Sequence, residues 1–112
     1  MQRAVRIFPV SSKEKLLELI EGVSNWPQEE RSSFLSHFGN PVEEWYYQEI
    51  DGKSYVVAIA EGESLDQGFS KLSSLDDPFV LWFCERVREL SGIDLRVIPE
   101  GASSELVFRL ST

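Results

Sequence analysis

Cysteine and histidine are nearly missing from this chain: Cys84 and His37 are the only ones among 112 residues. A lone cysteine excludes an internal disulfide framework and every multi-cysteine metal site, and a lone histidine removes the histidine-rich ones. No metal and no cofactor are therefore expected. Long hydrophobic runs are missing too. The longest, such as Val56 to Ala60, fall far short of the roughly 20 residues that span a bilayer. The start MQRAVRIFPV has neither an apolar h-region nor a cleavage site. These absences predict a soluble cytoplasmic protein without a membrane partner. Basic charge is in deficit, with 11 Lys and Arg against 19 Asp and Glu and a formal charge of -8. So acidic a protein repels phosphate backbones, and its arginines are scattered along the chain rather than gathered into a stripe, so nucleic acid is not an expected partner. Glycine and proline number only 7 and 5, which excludes a fibrous or disordered chain. The short patterns GxGxxG, P-loop, GxSxG and HExxH are all missing, and with them any signal for a nucleotide site or a hydrolytic motif.

What remains is the composition of one ordinary globular domain, residues 1–112, able to remove roughly two thirds of its unfolded surface from water. Ala4 to Val10 alternates Val5 and Ile7 against Arg6 and Phe8 and reads as a first strand limited by Pro9. Ser11 with Glu14 forms a capping-box pattern, followed by Leu16, Leu19, Ile20 and Val23 as one stripe of a helix. Pro27 to Phe38 predicts a second helix that stops at Gly39. Ser64 with Gln67 opens a short helix carrying Leu65, Phe69 and Leu72. Asp77 before Pro78 opens a last one, Pro78 to Leu90, with Ser91-Gly92 as its C-terminal cap. Asp94 to Ile98 and Glu105 to Leu110 alternate and predict two closing strands joined by PEGASS.

The central stretch, EEWYYQEIDGKSYVVAIAEG from Glu43 to Gly62, reads as a hairpin around the type I′ turn dipeptide Asp51-Gly52. That turn fixes the register. Ile50 pairs with Lys53, so Tyr46 stands opposite Val57 and Gln48 opposite Tyr55 on one face, with Trp45 opposite Ala58 and Tyr47 opposite Val56 on the other. Both faces are apolar, and the sequence leaves open which of them meets the helices. The order strand, helix, strand, strand, helix, strand predicts an α+β, ferredoxin-like βαββαβ antiparallel sheet with helices on one face and an extra C-terminal strand. The helices can cover only one side of such a sheet. Burying four large side chains of the other is worth on the order of 6 to 12 kcal/mol before association costs, so a homodimer through the sheet face is expected.

In shape, EEWYYQEIDGKSYVVAIAEG followed by SLDQGFSKLSSLDDPFVLWFCERV resembles the uncharacterised stand-alone members of the dimeric α/β-barrel superfamily, over about residues 4–98. Where such members often place a His before the Pro, Asp77 stands here, and a second His on the following helix is missing, so no role tied to those histidines carries over. The resemblance implies two sheets meeting face to face as a dimeric α/β barrel. The superfamily includes cofactor-free monooxygenases, small-ring isomerases, haem-degrading enzymes and proteins without known activity, so it selects no chemistry.

Candidate site residues follow from side-chain chemistry. His37 alone titrates near neutrality, and it occupies the last turn of a helix, where the dipole favours its charged form. It is the candidate for catalysis, with Glu43, Glu44 or Asp77 as an orienting carboxylate, or else a capping residue. Trp45, Tyr47 and Tyr55 combine flat apolar faces with hydrogen-bonding tips and are candidates for ligand contact, or else core and interface rings. Arg6 alternates out of phase with Val5 and Ile7, so it points a charge towards an enclosed space that must supply a carboxylate or an anionic ligand. The acidic pairs, Glu43-Glu44 among them, read as solubilising charge, because adjacent residues diverge. Three functions stay open: a homodimer binding a small, partly apolar ligand between sheet and helices; a cofactor-free monooxygenase or isomerase acting on an aromatic or enolic compound; and a pure dimerisation module.

Overall fold

The computed structural model describes residues 1–97 and 103–112. It is an α+β fold in which β1 (Gln2–Val10), β2 (Val42–Ile50) and β3 (Lys53–Gly62) form an antiparallel sheet in the order β1-β3-β2. Four helices accompany it, α1 (Lys13–Asn25), α2 (Gln28–Ser36), α3 (Leu65–Lys71) and α4 (Pro78–Ser91), with a 3-10 turn at Leu72–Ser74. This arrangement is compatible with a ferredoxin-like fold.

The hairpin has the register that its turn dictates: Ile50 pairs with Lys53, Tyr46 with Val57, Trp45 with Ala58 and Tyr47 with Val56. Asp51 and Gly52 both take positive φ, 51° and 76°, as a type I′ turn requires. The helices settle on the face that carries Trp45, Tyr47 and Val56. There Val10 and Val56 pack with Leu16 and Leu90, and Ala60 packs with Phe38 and Leu65. Tyr46, Tyr55, Val57 and Ile59 therefore lie on the outer face together with Val5 and Ile7. Ile7 and Tyr46 remain 56% and 51% exposed.

Several local expectations need correction. The cap of α1 is Ser12 rather than Ser11: its hydroxyl accepts the Lys15 N–H at 3.1 Å, because Ser11 is still engaged in the exit from β1, donating its N–H to the Leu90 carbonyl. Ser64 and Asp77 do precede α3 and α4, yet neither side chain caps its helix. The free N–H of Asp66 is taken instead by Gln2 Oε1 at 2.9 Å. Gly92 closes α4 with φ 78°, its N–H returning to the Arg88 carbonyl at 2.8 Å.

Neither expected closing strand forms among the described residues. Asp94 turns the chain, its carboxylate accepting the Arg96 N–H at 2.9 Å and its carbonyl the Val97 N–H at 3.2 Å; a short acidic side chain that bonds the backbone two residues on favours a turn over a ladder. The Arg96 guanidinium then ties this turn to the carbonyls of Ser73 and Leu75. Ile98 and most of PEGASS lie outside the described residues. Residues 103–112 make one backbone hydrogen bond to the sheet, from Ser104 N–H to the Val5 carbonyl at 2.7 Å, and then continue without a partner strand.

Gly68, buried in α3, faces the ring of Phe38, and a Cβ there would overlap that ring. Phe38 is itself 5% exposed and held by Phe34 and Phe69, at centroid distances of 5.2 Å each, so it has no room to retreat. Alanine would gain about 1 kcal/mol of helix propensity but overpacks the site, which costs typically 1–3 kcal/mol and more where backbone must shift. Gly68→Ala is therefore expected to lower stability in urea unfolding; a gain would show that α3 can slide.

Candidate functional site

Three alanines open a space inside the fold. On the helix-facing side of the sheet, Ala58 of β3 stands between Arg6 of β1 and Trp45 of β2, and in the next row Ala60 stands between Ala4 and Glu43. Methyl groups at three neighbouring positions cannot fill the gap between a sheet and a helical layer that packs about 10 Å away. The result is a cavity of about 510 Å³, roofed by the helix residues Leu19, Phe34 and Phe83 and by Phe38 in the turn after α2. Its walls are almost wholly apolar. This volume falls within the range of small-molecule pockets.

Polar atoms enter it at few places, and two of them face each other across the alanines. Arg6 comes from β1 and Glu43 from β2, on opposite sides of the β3 alanines, and both side chains line the cavity without forming an ion pair. The Arg6 guanidinium carbon lies 3.8 Å from the centroid of the Phe69 ring, and its Nε–H donates to Ser103 Oγ at 3.2 Å. Stacking on an aromatic face suits a planar, weakly hydrated cation. Trp45 donates its indole N–H to Glu43 Oε1 at 2.6 Å, which fixes both side chains.

Electrostatics follow from the enclosure. Glu43 is an exposed residue, yet protein atoms crowd its carboxylate, and this desolvation raises its pKa above the usual carboxylate range against the opposing pull of the Trp45 hydrogen bond and the Arg6 charge. Burial likewise lowers the Arg6 pKa, while the Glu43 charge works in the other direction. A carboxyl group with raised proton affinity on the same cavity wall as a cation can both accept and release a proton. The sign for stability is opposite to that of an ordinary ion-paired acid. Because the folded pKa is raised, the contribution of Glu43 is fully present below its unfolded pKa and is lost as pH rises through the folded one. The stability difference between the wild type and Glu43→Gln is expected to move against the wild type on titration upward from the ordinary carboxylate range, then level off. A flat difference between pH 4 and 8 would contradict a desolvated carboxylate.

Of the residues singled out from sequence, Arg6 and Trp45 line the cavity. Tyr47 shares their face but packs against Val10, Leu16 and Val56, with its hydroxyl 2.8 Å from Glu49 Oε1 and 2.9 Å from Ser54 Oγ. Tyr55 belongs to the outer face. His37 is half-buried just past α2, where its backbone N–H returns to the carbonyls of Phe34 and Leu35; it is not among the cavity-lining residues, and among the described residues no carboxylate ion-pairs with it. In sequence Glu43 reads as one of a solubilising pair or as a carboxylate orienting His37, not as a partner for Arg6 on the cavity wall. The signal that distinguishes it from Glu44 is phase: Glu43 shares a face with Trp45, and Glu44 with Tyr46.

Cys84 is 4% exposed in α4, and burial pushes its thiol up to about 11. It is a small core hydrophobe packed with Leu72 and Val80. Native protein at pH 8 is expected to react with a thiol reagent roughly a hundredfold more slowly than unfolded protein; equal rates would show that α4 opens freely. Among the described residues no group of three or more His, Cys, Asp or Glu side chains could hold a metal ion, and no helix is long and apolar enough to cross a membrane. No family model matches the chain, and neither a curated protein nor a solved structure matches it.

Proposed function

We propose that this protein binds a small, partly apolar ligand in the cavity between sheet and helices, as a homodimer of the dimeric α/β-barrel kind whose outer sheet faces meet. The observation that carries the ligand reading is the apolar cavity of about 510 Å³ with Arg6 and Glu43 converging on it. The pair sets the ligand's polar end. A bare carboxylate would suit Arg6 and repel Glu43; an amine would do the reverse. A neutral group carrying an acceptor and a donor side by side, such as an amide or an enolic carbonyl, satisfies both, its oxygen accepting from Arg6 and its proton donated to Glu43. An aromatic body then fits against Phe34 and Phe83. The dimer reading is supported by the outer face, where Ile7 and Tyr46 are mostly exposed beside Val57 and Ile59.

The test is a calorimetric titration with naphthalene-2-carboxamide, naphthalene and 2-naphthoate. The carboxamide is expected to bind at least tenfold more tightly than either of the others, and Ala58→Phe, which fills the cavity from its floor, is expected to abolish binding while the far-UV spectrum is kept. Equal binding by Ala58→Phe would place the ligand elsewhere and overturn the reading.

A second reading, a cofactor-free isomerase or monooxygenase acting on an enolic compound, is supported by the placement of Glu43 and Arg6 on one cavity wall, where desolvation raises the proton affinity of Glu43. Glu43 would remove a proton next to a carbonyl held by Arg6 and return it to the neighbouring position, with Trp45 steering the carboxylate. Solvent deuterium exchange into a bound cyclic enone, lost in Glu43→Gln, supports it; binding without exchange or oxygen uptake leaves a binder.

A further inference from the structure

Residues 103–112 leave the globule as an extended segment. After Ser104 donates to the Val5 carbonyl, every residue of the segment is exposed, and Leu106, Val107, Phe108 and Leu110 are 73%, 82%, 73% and 85% exposed. Scattered apolar residues on a surface need no explanation, but here four fall within five positions and alternate. Leu106, Phe108 and Leu110 share one side of an extended chain, with Val107 and Arg109 on the other. Its sequence pattern is that of a strand, and no sheet receives it among the described residues.

The chain's own sheet cannot complete it. With Ser104 opposite Val5, an antiparallel continuation finds only Gln2, Arg3 and Ala4 of β1 ahead of it and outruns the strand before Leu110. A parallel continuation meets Pro9, which has no N–H to give.

We propose that Glu105–Leu110 is an exchanged arm, which adds as a strand to the β2 edge of a second copy of this chain and lays Leu106, Phe108 and Leu110 over the outer face of that copy. This rests on the homodimer reading and names the segment that fastens the dimer. Three features select a second copy. β2 is the far edge of the sheet, nine residues long and without proline, so its outward N–H and C=O groups form a ready template. Beside that edge, Tyr46 offers an exposed ring in line with Val57 and Ile7. With the apolar side of the arm on the outer face, Arg109 alternates to the side where β2 carries the exposed Glu49, so the charges match. One arm from each copy gives a reciprocal, closed arrangement rather than an open chain.

The experiment is sedimentation velocity at micromolar concentration, with amide hydrogen exchange, on the full chain, on a chain ending at Ser104 and on the double variant Leu106→Asp with Phe108→Asp. The full chain is expected to be a dimer with slowed exchange along β2. Both variants are expected to dissociate at least tenfold more readily with β2 exchange restored, at an unchanged far-UV spectrum, since the arm takes no part in the core. A shortened chain that dimerises as tightly as the full one overturns the arm and leaves the dimer standing. A full chain that sediments as a monomer overturns both.

Discussion

Phe79→Ala is expected to lower the stability of the fold by roughly 3–5 kcal/mol, the usual cost of deleting a buried aromatic ring. Phe79 is 3% exposed at the start of α4 and touches rings on three other sides: Trp26 at 5.4 Å, Phe34 at 5.6 Å and Phe83 at 5.8 Å between centroids. These rings join α1, α2 and α4, so a single truncation loosens the whole helical layer. Relaxation will not recover much of the loss, because Phe79 also lines the cavity and the vacated space merges with a void that is already open. A domain whose total stability is of the order of 5–15 kcal/mol would lose a large fraction of it. Urea unfolding gives the measurement. A loss below about 1 kcal/mol would mean that the layer is held from elsewhere, since that is small for any buried ring.

Arg6→Met is expected to have the largest effect on the site. Methionine keeps the apolar stem of the side chain but lacks the guanidinium stacked on Phe69, and so removes the charge that opposes the desolvation of Glu43. The Glu43 pKa, already above the usual range, then rises further, because the Arg6 charge is one of the two influences holding it down. Carbon-13 titration of the Glu43 carboxyl reads this directly. Binding of naphthalene-2-carboxamide is expected to weaken by roughly 10- to 150-fold, the equivalent of about 1.5–3 kcal/mol for a hydrogen bond from a charged donor. Titration of Glu43 at an unchanged pH in Arg6→Met would show that the two groups do not share the cavity.

Much of the fold was legible because it depends on local chemistry. Asp51-Gly52 dictates the turn and thereby the pairing of every residue in the hairpin, and Pro78 and Gly92 bound α4. Arg6 was readable as a charge aimed inward because a strand's alternation fixes sides without reference to the rest of the molecule. The choice of face was not legible. Trp45 with Val56 and Tyr46 with Val57 are equally apolar pairs, and only the complete helical layer selects between them.

The closing strands failed for a related reason. Alternation in Glu105–Leu110 states that a strand would be stable beside a suitable edge, and supplies no edge. Glu43 was legible only as a carboxylate for His37 or as half of an acidic pair, because it was weighed with its neighbour Glu44 rather than with its face-mates Ala58 and Ala60, whose small size makes the cavity. A row of alanines amid Val, Ile and aromatic residues on one side of a hairpin is the signal that would have found it.

In the proposed reading, the space over Ala58 and Ala60 is a ready-made site with Arg6 and Glu43 as its polar end. Titration of nitrogen-15-labelled protein with naphthalene-2-carboxamide tests it most directly. The side-chain N–H signals of Arg6 and Trp45 and the backbone amides of Ala58 and Ala60 are expected to shift together and to saturate, while Lys53 and Gly52 at the hairpin turn stay still. Shifts that spare Arg6 and Trp45, or none at millimolar ligand, would contradict the account.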